Sequence, residues 1–199
     1  MMWEDRFKAT DGFLFGRAPA RFLVENPWIT KGASNALCVA DGEGRNGVHL
    51  ARQGLDVTSF DMAPTAVARA QNLAAEAGVR LTTSVSTWHD WDWSQSYDLT
   101  VAIFVQFTNP AERIKQFADL KSATRAGGRL VLHGYRPEQV ELGTGGPPDP
   151  AHMYTAEMLA DMFGDWHIER LASYEAEQKA GTGHVGRAAL IDMIATRPA

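Results

Sequence analysis

The residues with the clearest chemical potential form a glycine-rich turn, DGEGRN at residues 41–46, directly after an apolar run at 36–40. Gly42 and Gly44 let the backbone turn tightly and approach a ligand with no Cβ in the way. A second run of alternating apolar residues ends at Asp61, and a carboxylate there can accept hydrogen bonds from both hydroxyls of a ribose. Open α/β sheets bind ligands outside the carboxyl ends of their strands, where the strand order reverses. The pattern therefore favours a ribose-containing ligand between two strand ends.

The same turn leaves two other interpretations open. A glycine-rich turn between a strand and a helix can be a tight turn with no ligand. Residues 42–47 also fit the dinucleotide fingerprint Gly-x-Gly-x-x-Gly, which would indicate a nicotinamide-dependent oxidoreductase. Against that function, a chain of 199 residues has no room for a separate substrate domain, and it contains no Tyr-x-x-x-Lys pair.

The elements that must position this turn alternate between short apolar runs and helix-like segments. Strands are predicted at residues 36–40, 55–60, 79–85, 97–104 and 129–134, and helices at 46–53, between Pro64 and Gly78, and from Pro110. Residues 86–96 are polar and rich in tryptophan, which is typical of a loop. Repeated strand–helix units of this length predict a mostly parallel sheet covered on both faces, with right-handed crossovers.

The pattern changes after residue 136. Residues 143–150 are too rich in Gly and Pro for regular structure, and a helix follows at 155–163. Two long strands at 166–177 and 186–196 predict a hairpin. We therefore expect a three-layer, Rossmann-like α/β sandwich with a mostly parallel seven-stranded sheet and a C-terminal antiparallel hairpin. One domain is predicted over residues 1–199, with an N-terminal helical lid region at 1–35 and a catalytic core at 36–199.

Composition narrows the partners. The net charge of -5 provides no basic face, so nucleic-acid binding is not expected. Cys38 is the only cysteine and lies inside an apolar run, which favours a small buried hydrophobe in a reducing compartment. The N-terminus has no apolar signal core, and no apolar stretch reaches the roughly 20 residues of a membrane span. A cytoplasmic location without membrane contact is therefore predicted. No sequence pattern indicates the oligomeric state.

Three motifs carry a resemblance to a known family. ALCVADGEGRN at residues 36–46 resembles the first motif of class I S-adenosylmethionine-dependent methyltransferases. VTSFDM at 57–62 resembles the second motif, and AGGRL at 126–130 resembles the turn before the fifth strand. The resemblance covers nearly the whole chain and is nearest to the small bacterial tellurite-resistance methyltransferase-like group, with further similarity at residues 13–19, 143–148 and 181–189.

The resemblance implies that a methyl group passes from S-adenosylmethionine to a small-molecule acceptor, such as a thiol, an oxyanion or another soft nucleophile, and leaves S-adenosylhomocysteine. Carried over by position, the backbone of Ala40, Asp41 and Gly42 would contact the amino-acid end of the cofactor. Asp61 would bind the ribose, and Met62 would pack on the adenine. The other implied cofactor residues are Arg17 near the carboxylate, Arg45, Thr87 and Trp88 near the adenine, and Phe104 and Val105 beside the methionine portion.

Two departures from the family motif affect the glycine-rich turn. Cys38 stands where the family usually has an aspartate that supports the turn, and Ala40 replaces the first glycine. Alanine fits well there only if its φ is negative. These departures keep a second function open, a non-catalytic module that binds S-adenosylmethionine or S-adenosylhomocysteine.

Methyl transfer requires the protein mainly to align the acceptor and exclude water, because the cofactor carries the driving force. Gln106 can orient an acceptor, Tyr135 follows the fifth strand, and His184 in the hairpin turn can swing over the pocket as a base. Arg136 can hold an anionic substrate. Exposed positions that face water would instead explain Gln106, Arg136 and His184. Residues 105–107 offer no carboxylates, and the histidines show no close ligand spacing, so no metal is expected.

Overall fold

The computed structural model describes residues 3–199. Within them, seven strands form one sheet in the order β3-β2-β1-β4-β5-β7-β6. The strands are β1 (Asn35–Val39), β2 (Asp56–Asp61), β3 (Leu81–Val85), β4 (Tyr97–Ile103), β5 (Thr124–Tyr135), β6 (His167–Ala180) and β7 (His184–Thr196). The first five strands run parallel, whereas β7 is antiparallel to both β5 and β6. The predicted α/β fold with its C-terminal hairpin is therefore confirmed.

Seven helices accompany the sheet in the described part of the chain. They are α1 (Trp3–Lys8), α2 (Arg21–Glu25), α3 (Arg45–Arg52), α4 (Pro64–Glu76), α5 (Pro110–Ala123), α6 (Gln139–Leu142) and α7 (Ala156–Met162), with 3₁₀ turns at Pro27–Thr30 and Pro150–His152. No helix among residues 3–199 is long and apolar enough to cross a membrane. The same residues contain no group of three or more His, Cys, Asp or Glu side chains placed to hold a metal ion.

Side chains of β1 alternate between the two faces of the sheet and so divide the core. Leu37 and Val39 pack into a cluster with Phe117 of α5, whereas Ala36 and Cys38 pack into another with Leu50 of α3. This alternation follows from the period of two along a strand. Burial raises the pKa of the Cys38 thiol, so this cysteine is an inert core residue, as its apolar neighbours predict.

Three strands, β5, β6 and β7, are longer than predicted. β5 begins at Thr124, five positions before Arg129, and an irregularity in its pairing with β4 absorbs the intervening glycine turn. β6 and β7 stay paired until Ala180 faces His184, so the hairpin turn contains only residues 181–183. Turn composition alone predicts a hairpin turn that is too long, because the last pairs of β6 and β7 form at positions that carry no apolar alternation.

The N-terminal region is less helical than predicted. Outside α1, α2 and one 3₁₀ turn, the chain from residue 3 to residue 34 consists of turns and irregular segments, and residues 1 and 2 lie outside the described part. The Glu43 carboxylate accepts hydrogen bonds from the amides of Leu14 (3.1 Å) and Phe15 (3.2 Å) and forms an ion pair with Arg69. The Glu43 side chain of the glycine-rich turn thus holds the N-terminal segment over the carboxyl ends of the strands.

Candidate active site

A cavity of about 570 Å³ opens at the carboxyl ends of β1, β2 and β4. The strand order reverses at this point, because β2 lies on one side of β1 and β4 lies on the other. Its volume falls within the range of about 300–1,000 Å³ that is usual for small-molecule sites. The N-terminal segment, the loop at residues 145–148 and the hairpin turn also contribute to its walls. Eleven sequence-predicted residues line it: Ala40, Asp41, Gly42, Arg45, Asp61, Met62, Trp88, Phe104, Gln106, Tyr135 and His184.

Asp61 ends β2 and faces the glycine-rich turn. Its Oδ2 accepts a hydrogen bond from the Gly42 amide and its Oδ1 accepts one from the Ala63 amide, both at 2.9 Å. Burial raises the pKa of this carboxyl group, and the backbone amides partly oppose that effect. Because an ionised carboxylate can accept about four hydrogen bonds, Asp61 keeps acceptor capacity for a diol that enters the cavity.

Asp41 connects the glycine-rich turn to α3. Its Oδ2 accepts a hydrogen bond from the Gly47 amide at 3.0 Å, and a Cβ on residue 47 would lie only 2.7 Å from that oxygen. Burial raises the pKa of Asp41 to about 7, although the Gly47 amide and Arg45 act in the opposite direction. This side chain therefore braces the turn from below.

Two backbone amides of the turn already donate within the protein. The Asp41 amide donates to the Phe60 carbonyl at 3.1 Å, and the Gly42 amide donates to Asp61. Within residues 3–199, the carbonyl oxygens of Ala40 and Gly42 accept no hydrogen bond. The turn is thus better suited to accept hydrogen bonds from a cationic amine than to donate them.

Ala40 and Phe104 are the only residues other than glycine with positive φ in the described chain, at 46° and 58°. Each follows a central strand and lines the cavity. A left-handed conformation costs an L-residue about 1–2 kcal/mol. Ala40 therefore has the positive φ that is unfavourable for alanine. Local strain of this kind concentrates where a fold aims groups at a ligand.

Beyond the ends of β2, β3 and β4, the wall includes Met62, Ser86, Trp88 and Phe107. Trp88 donates from Nε1 to Oδ2 of Asp119 at 3.0 Å, which fixes the orientation of the indole ring. This part of the wall is largely apolar and aromatic.

Thr87 does not line the cavity, and its predicted adenine contact is wrong. Its hydroxyl donates to Asp90 at 2.6 Å and so stabilises the turn of its own loop. The neighbouring Ser86 lines the cavity instead.

The opposite wall is built around Tyr135 at the end of β5. Gln106 donates from Nε2 to the Tyr135 carbonyl at 2.7 Å and accepts the Tyr135 amide at 2.6 Å. Both functions of this amide are therefore used, and Gln106 braces two strand ends rather than facing water. Val105 is 1% exposed and packs in the core below, so its predicted place in the cavity is wrong.

His184 begins β7 and packs among aromatic rings, with centroids at 4.5 Å from Phe15, 4.3 Å from Phe104 and 5.9 Å from Tyr135. Its Nδ1 is buried with no hydrogen-bond partner among the described residues. Burial, with smaller effects from Arg45 and other cations, lowers the pKa of His184 to about 3. The imidazole therefore stays neutral near pH 7.

The hairpin turn that precedes His184 is anchored and does not allow the predicted swing. The amides of Thr182 and Gly183 both donate to the Leu14 carbonyl at 2.9 Å. Gly181 packs so closely on this segment that a Cβ would lie 2.2 Å from the Leu14 oxygen. A fixed, neutral histidine with a low pKa is a poor general base, which contradicts the role predicted for it.

Two predicted arginine contacts are also wrong. Arg17 pairs with Glu76 of α4 and lies over the Phe13 ring, away from the cavity. Arg136 turns to Glu138, with 3.4 Å between Nη1 and Oε1, and is absent from the cavity wall. In both cases a nearby carboxylate outside the cavity provides the partner.

Arg6 and Arg45 are the guanidinium groups in the cavity wall. Arg45 donates from Nη1 to the carbonyls of Phe15 and Ala18, each at 3.3 Å, so it fastens the N-terminal segment. Arg6 precedes Phe7, whose ring lies 3.5 Å from the position of a Cβ on Gly42. The Arg6 guanidinium itself lies 4.4 Å from the centroid of the Trp3 ring, a cation–π contact within the cavity wall.

Sequence reasoning missed the lining residues of the N-terminal segment and the later loops, together with several positions at the strand ends. They are Trp3, Arg6, Phe7, Phe15, Asn46, Phe60, Ser86, Ile103, Phe107, the loop residues 145–148, His152 and Gly183. The segments at 13–19, 143–148 and 181–189 were noticed only through family resemblance. Nothing in their periodicity indicates that they meet above one cavity, because this proximity depends on the completed tertiary structure.

Comparisons with known proteins agree with this architecture. Residues 36–128, just under half of the chain, match the family described as a methyltransferase domain. The chain is also similar to a glycine/sarcosine N-methyltransferase of Parasynechococcus marenigrum (strain WH8102), with 29% identity over 135 residues. That alignment covers 65% of this chain and 44% of the relative, so the chain spans less than half of the curated relative's length.

Solved structures with low sequence identity share the fold. One, reported as "Conversion of a Disulfide Bond into a Thioacetal Group during Echinomycin Biosynthesis", has a TM-score of 0.79 at 18% identity and covers 98% of this chain and 91% of that one. TehB from Haemophilus influenzae has a TM-score of 0.66 at 18% identity, with 87% and 62% covered. The family match thus spans β1 to the first residues of β5, and the solved structures share the fold of the chain.

Proposed function

We propose that the chain catalyses methyl transfer from S-adenosylmethionine to a small-molecule acceptor inside the cavity. The observation that carries this proposal is Asp61, which is fixed by two backbone amides and keeps free acceptor capacity at the cavity wall. A carboxylate held in this way at the end of the second strand suits the two hydroxyls of a ribose. The nicotinamide oxidoreductase suggested by the glycine spacing is not supported, because the family match is to methyltransferases.

The residues around Asp61 fit the remaining parts of this cofactor, and we call Ala40, Asp41, Gly42, Asp61 and Met62 the cofactor half. The unpartnered carbonyls of Ala40 and Gly42 suit the ammonium group of its amino-acid end. Arg6, a further guanidinium of the cavity wall, suits the carboxylate. Met62 and the indole of Trp88, which line the same cavity, suit the flat adenine.

Bound there, S-adenosylmethionine would supply an electrophilic methyl group on a sulfonium. The chain itself has to exclude water and hold the acceptor in line with that group. We call the wall formed by Phe15, Phe104, Gln106, Tyr135 and His184 the acceptor half. The N-terminal segment and the hairpin turn enclose it, which favours a small molecule over a polymer as acceptor.

Calorimetric titration with S-adenosylhomocysteine tests the cofactor assignment, with NADH as a parallel control. We expect binding of the former with micromolar affinity and no binding of NADH. Absence of S-adenosylhomocysteine binding would contradict the proposal, and tight NADH binding would revive the oxidoreductase. Turnover of S-adenosylmethionine with any acceptor would exclude the non-catalytic alternative.

A further inference from the structure

We propose that the acceptor is a small aromatic anion, such as an aromatic thiolate, phenolate or carboxylate, whose charged atom takes the methyl group next to Arg45. This inference rests on the proposed function and names the acceptor class for the same cavity. Three features of the described chain carry it: an aromatic wall, a partly free guanidinium beside that wall, and a histidine that is a poor base.

Flat aromatic surfaces form most of the acceptor half. The rings of Phe15, Phe104 and Tyr135 lie around the His184 imidazole, and all four residues line the cavity. Such a wall favours a ligand with a flat ring, through stacking and burial of apolar surface. The size and shape of the acceptor follow from these rings.

The Arg45 guanidinium lies beside the same wall. Arg45 is only 8% exposed and donates from Nη1 to the carbonyls of Phe15 and Ala18, so it touches the backbone of a residue whose ring belongs to the acceptor half. Within residues 3–199, Nε and Nη2 of Arg45 donate to no acceptor, and neither atom is sealed from solvent. Two donors of this guanidinium are therefore accessible to a ligand, and a guanidinium fork fits a carboxylate or another anion.

The charged groups that act on the acceptor half are cations. Burial is the main cause of the low pKa of His184, and Arg45, His133 and Arg6 lower this pKa further. Burial raises the pKa of Tyr135, and Arg45 opposes that effect. Both side chains thus experience a positive potential, which attracts an anion and favours the ionised form of a weakly acidic acceptor.

The neighbouring carboxylates belong to the cofactor half or to the glycine-rich turn. Asp41 and Asp61 accept backbone amides there. Asp41 and Glu43 also act electrostatically on Arg45, but Glu43 is held by two backbone amides and an ion pair with Arg69. Because Arg6 is assigned to the carboxylate of the cofactor, Arg45 is the guanidinium of the wall that is left for the acceptor.

An anionic acceptor needs no general base. Its lone pair forms the bond to the methyl carbon while the bond from that carbon to the cofactor sulfur breaks, and the electron pair of the broken bond stays on that sulfur. The negative charge of the acceptor and the positive charge of the sulfonium disappear together, and no proton moves. This balance agrees with His184, whose low pKa and enclosed Nδ1 make it unsuited to proton removal.

Benzoate and benzamide are matched probes, because they share a ring and a similar shape but differ in charge. Each is titrated by calorimetry into the full chain saturated with S-adenosylhomocysteine. We expect benzoate to bind about tenfold or more tightly than benzamide, as a hydrogen bond to a charged group predicts. Equal affinities, tighter binding of benzamide or no binding of benzoate would overturn the inference. Failure of S-adenosylhomocysteine itself to bind would instead refute the proposed function on which the inference rests.

A matched pair of variants locates the anion. Arg45 also borders a small outer pocket, together with Arg17, His49 and Arg52, so an anion bound there has to be distinguished from one in the cavity. We expect Arg45→Met to reduce the preference for benzoate over benzamide to about threefold or less, whereas Arg52→Met keeps the full preference. Loss of the preference in Arg52→Met, or its full retention in Arg45→Met, would overturn the inference.

The ratio of the two affinities is the readout, because Arg45 also holds the N-terminal segment and its loss can weaken both probes. Arg45→Lys keeps the charge but not the planar fork, so we expect it to retain part of the preference for benzoate. Circular dichroism verifies that each variant is folded. If Arg45→Met does not fold, Arg45→Lys takes its place, and an unchanged preference in that variant together with a loss in Arg52→Met would assign the anion to the outer pocket and overturn the inference.

Discussion

The cofactor half and the acceptor half face each other across one cavity, yet they are built in different ways. The cofactor half comes from one short stretch, residues 40–62, and is held by carboxylates that accept backbone amides. The acceptor half gathers residues from the N-terminal segment, from beyond β4, from β5 and from β7, and consists of packed rings around a neutral imidazole.

This difference separates two kinds of specificity. Backbone geometry and paired carboxylates can hold a constant ligand, because they change little when surface residues change. Aromatic side chains on separate segments can vary one at a time and so suit the ligand that differs between relatives. Substitutions in the two halves should therefore have separable effects on stability, cofactor affinity and acceptor binding.

The largest expected effect is a pH dependence of stability that belongs to the cofactor half. The folded chain raises the pKa of Asp41 to about 7, so protonated Asp41 fits the fold best. As pH rises from about 4 to about 7, the unfolded chain releases this proton first, and the free energy of unfolding should fall by up to about 4 kcal/mol. Above about pH 7 the contribution should become constant.

Urea unfolding across that pH range measures this slope. Asp41→Asn should lack most of it, whereas Tyr135→Phe in the acceptor half should keep it. Identical pH profiles for the wild type and Asp41→Asn would show that Asp41 titrates normally, and the two halves would then not differ in this respect.

Asp61→Ala tests the cofactor half directly. We expect the affinity for S-adenosylhomocysteine to fall by roughly 1.5–3 kcal/mol, the range for hydrogen bonds to a charged group. Asp61→Asn keeps one acceptor oxygen and should lie between the wild type and the alanine variant in calorimetric titrations.

Tyr135→Phe is the control for this experiment, because it loses only the hydrogen bond to Gln178. Its affinity for S-adenosylhomocysteine should stay within about threefold of the wild type, which corresponds to less than about 0.7 kcal/mol. Equal losses in Asp61→Ala and Tyr135→Phe would mean that the two halves are not separable.

The smallest expected effect concerns the two strained residues, one in each half. Ala40→Gly relieves a left-handed conformation that costs about 1–2 kcal/mol and adds about 0.5–1 kcal/mol of chain entropy to the unfolded state. The net result should be a gain of about 0.5–1 kcal/mol in stability, measured by urea unfolding. Phe104→Gly relieves the same strain but removes a packed ring, so it should destabilise the fold. Stabilisation by both substitutions would show that Phe104 contributes no packing energy.

Local patterns made the cofactor half predictable from the sequence. The apolar runs, the glycine turn and the carboxylate at the end of β2 all lie within residues 36–61, so period and spacing indicate their arrangement. The mostly parallel sheet was predictable as well, because repeated strand–helix units form parallel strands with right-handed crossovers.

The acceptor half was predictable only in part, for physical reasons. Glu43 looks like a spacer within the glycine turn, but it holds the amides of Leu14 and Phe15, and no local pattern reports that contact. Arg17 and Arg6 are equally plausible partners for a carboxylate until the position of α1 is known. His184 looks like a residue of a loose turn, because the extra strand pairs that bury it carry no periodic signal.

The hydrogen bonds from Thr182 and Gly183 to the Leu14 carbonyl have a consequence for the order of folding. They join segments that are far apart in the sequence, and such contacts form late because loop closure has to precede them. A partly folded chain can therefore shape the glycine turn and its carboxylates before the hairpin docks. Only the last docking step creates an enclosed chamber, so selectivity for the acceptor is the final property that the folding chain acquires.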